Sequence, residues 1–354
     1  MSLEELRKKI NAIDDKLVPL LDERAKVSLE IGKKKLQNNE SIYAPHRERE
    51  VLDRVKALSK GPMKPEGLEA IYREIMSSSL SLEKPLQISY LGTQGSFSHM
   101  AANKKFGSQV TYVSCTSITE VFQKVEHNEC DYGVVPIENS VEGAVTHTFD
   151  VLVDSELKIC AQMTLKVEHH LLSKENLKDI KTVYSNPSVF GQCRNWLANN
   201  LPEAGQIWVA STTEAAQKAA KQRYAAAIAS SLAAKVYEVP IIHSNIQDAE
   251  NNMTRFYVIS KQDVPPTGKD KTSIIFSIKD KVGALHDMLV PFSKLGINLT
   301  KIESRPSRKK AWDYYFFVDM VGHRDDKKIQ QALEELEGMC KYLKVAGSYP
   351  ADES

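Results

Sequence analysis

The sequence predicts a multidomain chain in three parts: an all-α segment of three helices, a two-lobed α/β segment, and a ferredoxin-like βαββαβ plait. Three observations carry this. Apolar residues recur every seven positions from Leu3 to Ile31. Beyond Pro85, short apolar runs alternate with helical stretches. After the polar linker QDVPPTGKDK the runs come as strand, helix, strand, strand, helix, strand. A chain of 354 residues exceeds one ordinary core. The expected boundaries are residues 1–84, 86–262 and 271–350.

The first helix is expected from Leu3 to about Lys35, because Leu3, Ile10, Leu17 and Ile31 fall on one seven-residue series and Leu6, Ile13, Leu20 and Val27 on a second. Pro19 interrupts it and should kink it or weaken a turn, at a cost of about 3 kcal/mol or more. A second helix starts after Pro45 (Val51, Leu52, Val55, Leu58) and a third near Pro65 (Leu68, Tyr72, Ile75, Leu82). A helix of some thirty residues, Leu3 to Lys35, spans about 50 Å, more than two shorter helices cover, so a second chain is expected over the remainder. In the α/β segment the expected strands are Ile88–Leu91, Tyr132–Ile137, Val183–Ser185, Ala226–Ala229 and Phe256–Ile259, and Ser117 with Glu120 has capping-box spacing. A cleft between two lobes would hold the ligand. The plait reads as TSIIFSIK, a helix from Gly283 to Leu295, NLTKIES, DYYFFVDMV, a helix from Asp325 to Glu337, and a last short strand.

Composition excludes several functions. Lys plus Arg number 47 against 46 Asp plus Glu, which leaves no whole-chain field for nucleic acid or an anionic membrane. Five scattered cysteines form no CxxC pair, and no His stands at ligand spacing, so a reduced interior without metal is expected. The N-terminal stretch lacks an apolar signal core and no apolar run approaches ~18 residues, which points to the cytoplasm.

In the helical segment Arg24 occupies the same seven-residue series as Leu3, Ile10, Leu17 and Ile31. A cation on a seam needs an anion, a salt bridge, or a route for its head to reach water. Arg7, Lys35 and Arg47 add cations, Glu48 a carboxylate, and Ser79 and Glu83 lie on the third helix; together they suit a small dicarboxylate. LRKKINAIDDKLVPLLDERAKVSLEIGKKK followed by APHREREVL resembles the all-helical, intertwined dimeric chorismate mutases over residues 1–83. The resemblance implies that Arg7 from the partner chain, Arg24 and Arg47 hold substrate carboxylates, Lys35 and Glu83 the ether-oxygen region, Glu48 a hydroxyl, and that Ser79 completes the pocket. Such a rearrangement needs clamping and charge stabilisation, with no nucleophile. Ala44 stands where many relatives carry an acid, and Glu83 where others use Gln, so Glu83 is expected to act protonated.

In the α/β segment YLGTQGSFSH offers backbone N–H groups and hydroxyls at Gly92, Thr93, Gly95 and Ser96, and PIENSVEG and SNPSVFGQC form two further polar turns. NNMTRFYVIS places Thr254 and Arg255 at a strand entrance, where both are expected to face the cleft. GTQGSFS, PIENS, the SNP turn and TRF, preceded by Asn251 or Asn252, resemble the prephenate dehydratases across residues 87–262. The implied reaction expels carbon dioxide and hydroxide from prephenate, driven by aromatisation, and uses no cofactor. Thr254 would donate to the leaving hydroxyl and Arg255 hold charge, while Thr93, Ser96, Asn139, Ser140, Ser185 and Gln192 line the pocket. Glu138 is either an acid or a structural carboxylate. Asn186 and Ser188 depart from the family's usual His and Gln, and His169 and His170 read as structural.

GAL at Gly283, Ala284 and Leu285, with ESRP at Glu303, Ser304, Arg305 and Pro306, resembles the ACT regulatory domain over residues 271–349. That implies L-phenylalanine bound between paired domains and feedback by linkage. Val282 replaces the usual proline. Both end segments imply a homo-oligomer, a dimer or a dimer of dimers, acting on chorismate and prephenate. The rival readings are a regulator whose cleft binds without reacting, and an enzyme with a single live site.

Overall fold

The computed structural model describes residues 1–38, 40, 42–278, 282–307 and 313–352. It divides into two compact units, the first residues 1–87 with 106–111, the second residues 88–105 with everything from Tyr112 onward.

The first unit holds α1 (Leu3–Gln37), α2 (Pro45–Leu58) and α3 (Pro65–Glu83). Ser2 caps α1 through a complete capping box with Glu5, and Pro45 and Pro65 open α2 and α3 at a position that has no intrahelical N–H bond to lose. Pro19 lies inside α1, which continues on both sides of it. The two apolar series of α1 stay open: Ile10 is 58% exposed and Ile13 62%, and the buried residues of this helix are Ser28 and Gly32.

In the second unit the first lobe is built from β1 (Gln87–Leu91), α4 (Phe97–Phe106), β2 (Thr111–Cys115), α5 (Ile118–Glu126), β3 (Tyr132–Asn139), β4 (Gly143–Ala144), α6 (Thr146–Asp154) and β5 (Lys158–Lys166). The chain then leaves for a second lobe of β6 (His170–Ser173), β7 (Thr182–Ser185), α7 (Pro187–Gln192), α8 (Arg194–Asn200), β8 (Gly205–Trp208), α9 (Thr212–Lys221), β9 (Ala225–Ala229), α10 (Ser231–Val236) and β10 (Ile241–His243). It returns as β11 (Met253–Ser260), which inserts antiparallel between β3 and β5, giving β2-β1-β3-β11-β5 with β4 beside β3. The second sheet runs β10-β6-β9-β7-β8. Of the expected capping box at Ser117, one half forms: Ser117 accepts from Glu120 N, whereas the Glu120 carboxylate bonds Thr116.

The plait comprises β12 (Asp270–Ile278), α11 (Ala284–Lys294), β13 (Leu299–Pro306), β14 (Tyr314–Val321), α12 (Lys327–Glu337) and β15 (Cys340–Pro350), with antiparallel order β13-β14-β12-β15. Its helices cover one face, where Met288 and Phe292 of α11 pack with Ile274, Phe276 and Val318 of the sheet. The other face joins the first lobe's core, where Ile275, Phe317 and Tyr349 pack with Ile159, Tyr257 and Ile259. The last strand, expected short, has eleven residues because it docks on that lobe. A Cβ on Gly347 would overlap the Ile159 backbone, Lys344 donates to the carbonyls of Leu152, Val153 and Ser155 at the end of α6, and Tyr342 donates to Val153 O at 3.0 Å. A cation against the terminal carbonyls of a helix also meets the negative end of its dipole. Among the described residues no helix is long and apolar enough to cross a membrane, and no His, Cys, Asp and Glu cluster could hold a metal.

Candidate active sites

In the helical unit the close packing of α1 on α3 gathers four of the expected residues. Arg24 Nη1 donates to Ser79 Oγ at 2.7 Å, and Ser79 donates onward to Ile75 O at 3.0 Å. Lys35 Nζ donates to Ile42 O at 2.6 Å and stands 3.9 Å from Glu83 Oε2. The Glu83 side chain is only 7% exposed and its Oε2 accepts no hydrogen bond among the described residues. Burial pushes the Glu83 carboxyl up, and the opposing charges of Lys35 and Arg24 do not cancel that push. Gly32 makes the approach possible, since a Cβ there would lie 2.8 Å from Glu83 Cβ and Cγ. Glu48 accepts from the buried Tyr43 hydroxyl at 2.7 Å, a partner that no spacing announced. Arg47 lies exposed against Glu50, and Arg7 is exposed on α1, 17 residues before Arg24. That is about 26 Å along a helix, so one chain cannot bring both arginines to one small dianion.

In the α/β part a polar chain spans the two lobes. Asn139 Nδ2 donates to Thr254 Oγ1 at 2.8 Å and Asn252 Oδ1 at 2.7 Å; Asn252 Nδ2 donates to Gln192 Oε1 at 2.8 Å; Gln192 Nε2 reaches Glu142 at 3.0 Å. His169 Nε2 lies 2.8 Å from Gln192 Oε1, an atom that only accepts, so this nitrogen carries the proton, and burial lowers the imidazole's basicity. Thr254 receives a bond from Asn139, while its own O–H meets no acceptor among the described residues. Ser140 Oγ clamps the same corner, donating to Asn251 O and accepting from Met253 N, both at 2.9 Å. In the first turn Thr93 pairs with Thr213 at 2.6 Å, Ser96 receives His99 N, and His99 Nδ1 accepts from Gly95 N at 3.1 Å, bracing the turn from behind.

Two expectations are corrected. Ser185 is fully buried and donates to Ile228 O, so its hydroxyl ties β7 to β9 and does not face the cleft. Arg255 does not share the face of Thr254, because neighbouring strand residues point to opposite sides of a sheet. It lies 3.2 Å from Glu138 Oε2, which Lys301 of the plait approaches to 2.6 Å. Burial alone would raise Glu138, but the Lys301 bond and the charges of Lys301 and Arg255 outweigh it and hold the carboxyl below its ordinary range. A carboxylate so held is a poor proton donor, which favours the structural of its two readings.

At the plait Gly283 caps α11 in the left-handed region with φ 80°. Along β13, Ser304 and Pro306 are exposed and Arg305 turns inward, 3.4 Å from Asp150 of α6, so the ESRP stretch addresses two surfaces. Lys301 and Tyr43 were missed. Lys301 carried one legible signal, its even spacing from Glu303 and Arg305 along a strand.

A helical unit that pairs Arg24 with Ser79 beside a buried Glu83, a two-lobed α/β body and a βαββαβ plait are the architecture expected of an isomerase fused to a lyase with a regulatory domain. Residues 6–84 match the chorismate mutase type II family, 88–264 prephenate dehydratase, and 272–338 the ACT domain. The chain is 47% identical to the bifunctional chorismate mutase/prephenate dehydratase of Aquifex aeolicus (strain VF5), over 98% of both chains. A prephenate dehydratase from Arthrobacter aurescens, solved in complex with L-Phe, superposes with TM-score 0.70 at 32% identity, covering 75% of this chain and 90% of that one. GqqA, described as a novel type of quorum quenching acylase, has TM-score 0.70 at 26% identity, covering 75% and 98%. The chain belongs to the bifunctional chorismate mutase/prephenate dehydratase family. It has both activities and works in phenylalanine biosynthesis, and its ACT domain together with the phenylalanine-bound relative supports feedback by phenylalanine.

Proposed function

We propose that chorismate is clamped by Arg24, Arg47 and the partner's Arg7, with Glu48 and Ser79 completing the pocket and Lys35 and a protonated Glu83 facing the ether oxygen as it gains charge. The observation that carries this is the cluster of Arg24, Ser79, Lys35 and the buried Glu83. Prephenate then binds in the cleft among Thr93, Ser96, Asn139, Ser140 and Gln192. Thr254 donates to the departing hydroxide while the carboxylate leaves as carbon dioxide and the ring becomes aromatic. Glu138 supports the strand. Phenylalanine is sensed at Gly283, Ala284 and Leu285, with Glu303, Ser304 and Pro306, while Arg305 ties their strand to Asp150 of α6. The domains run over residues 1–84, 86–262 and 271–350, and the enzyme works in the cytoplasm on small diffusible acids.

The assembly is a homodimer at least, supported by the open apolar series of α1 and by the length that separates Arg7 from Arg24. In a two-fold dimer each pocket takes Arg7 from one chain and Arg24 from the other. Arg7→Ala and Arg24→Ala chains, each inactive as a mutase alone, should therefore recover about a quarter of parental activity after mixed unfolding and refolding, because half the dimers are mixed and each has one intact pocket. No recovery would remove the partner's Arg7 from the pocket.

Gly32→Ala should displace Glu83 and lower mutase kcat by about tenfold or more, since small misplacements at a preorganised site are costly. Dehydration assayed on the same preparation should not change.

A further inference from the structure

Strand β11 presents neighbouring residues to different domains. Thr254 meets the cleft; Arg255 turns toward the plait and pairs with Glu138. The carboxylate oxygen that binds Arg255 also accepts from Lys301 Nζ at 2.6 Å. Lys301 belongs to β13, its side chain is 9% exposed, and its ammonium lies 5.3 Å above the Phe149 ring. Two residues along the same face of β11, the Tyr257 hydroxyl donates to Asp319 of β14 at 3.0 Å. Asp319 also accepts from Ser273 at 2.6 Å. One face of the strand that carries the reaction is thus held by side chains of the regulatory domain.

We propose that Lys301 is a positioning residue for dehydration, fixing Arg255 through Glu138 and thereby the register and pitch of the strand that presents Thr254. The inference rests on the reading of Thr254 as the hydroxyl that meets substrate. Successive strand residues are about 3.3 Å apart on a shared backbone, so a guanidinium that loses its fixed partner releases its neighbour as well. The charged groups facing Glu138 are Arg255 from β11 and Lys301 from β13, with Asp319 from β14 behind them. Lys301 stands two residues before Glu303, so a ligand that shifts β13 also shifts this contact, giving feedback a physical route.

The test is steady-state prephenate dehydration by the full chain carrying Lys301→Met or Lys301→Arg, over a pH series. Lys301→Met should lower kcat by about tenfold with KM within about twofold. It should also lose activity at higher pH on the acid side than the parent, because Glu138 left with Arg255 alone is protonated more readily. Lys301→Arg keeps the cation and should restore most of kcat. Chorismate rearrangement in the same preparations should not change, which reports a folded chain. The proposal is overturned if Lys301→Met matches the parent in kcat and pH profile, or if both variants lose activity equally with an unmoved profile, as packing damage would produce. A Thr254→Val chain measured alongside separates the two readings: normal dehydration there removes Thr254 from its role, while the acid limb of Lys301→Met still decides for or against Lys301.

Discussion

Replacing Thr254 by valine should lower kcat for prephenate dehydration by about 10²- to 10³-fold, the loss typical of a single well-placed donor. Valine keeps the shape of threonine and removes the hydroxyl. The strand should tolerate it, because Asn139 Nδ2, which now bonds Thr254 Oγ1, retains Asn252 Oδ1 at 2.7 Å. The residue is nearly buried, so water cannot easily replace the lost donor. Thr254→Ser restores a hydroxyl and should fall within about tenfold of the parent. Mutase activity serves as the internal control. A valine variant with parental kcat would move the proton-donating role elsewhere in the cleft, and Glu138, held ionised by Lys301 and Arg255, is a poor candidate to receive it.

The second large effect concerns pH. If Glu83 donates to the ether oxygen, rearrangement needs its protonated form, and burial raises its pKa so that this form survives to higher pH than an ordinary glutamic acid's. Mutase kcat should be full below the raised pKa and fall about tenfold per pH unit above it. Glu83→Gln carries a permanent donor and should flatten that limb; Glu83→Ala removes the donor and should cost about 10²- to 10³-fold at every pH. Stability follows the same sign. The folded chain binds this proton more tightly than the unfolded one, so the contribution from Glu83 is complete at low pH and is lost as pH rises through the raised pKa. A Gln variant whose profile still bends like the parent's would show that another group titrates.

Much of the architecture was legible because local chemistry and global fold agree. Pro45 and Pro65 announce helix starts, and the alternating runs after Asp270 give the plait's element order. The seven-residue series revealed the stripe on α1, but periodicity describes a surface and says nothing about which chain covers it. Arg255 shows the other limit. Strand alternation says that Thr254 and Arg255 diverge, yet the motif read as one functional unit, and only the tertiary contacts reveal that one side faces a cleft and the other a second domain. Ser185 failed for a related reason: a polar residue at a strand end fits a ligand contact and a sheet tie equally well, and its bond to Ile228 decides. For Lys301 the deciding fact is tertiary, its contact with Glu138 of a domain distant in sequence.

The docking of β15 changes what the stretch from Lys261 to Lys269 is for. The Gly347 backbone lies against Ile159 with no room for a side chain, and Lys344 plugs the end of α6. The regulatory domain is therefore a fixed wall of the catalytic body and not a bead on a tether. Its connecting segment joins parts that already share one core. Cutting that segment should leave the two pieces clasped, which co-elution of the cleaved halves on gel filtration would check. A signal from the regulatory side that reaches Thr254 would then pass through packed sheets and the Lys301–Glu138 contact, with no part for the connecting segment.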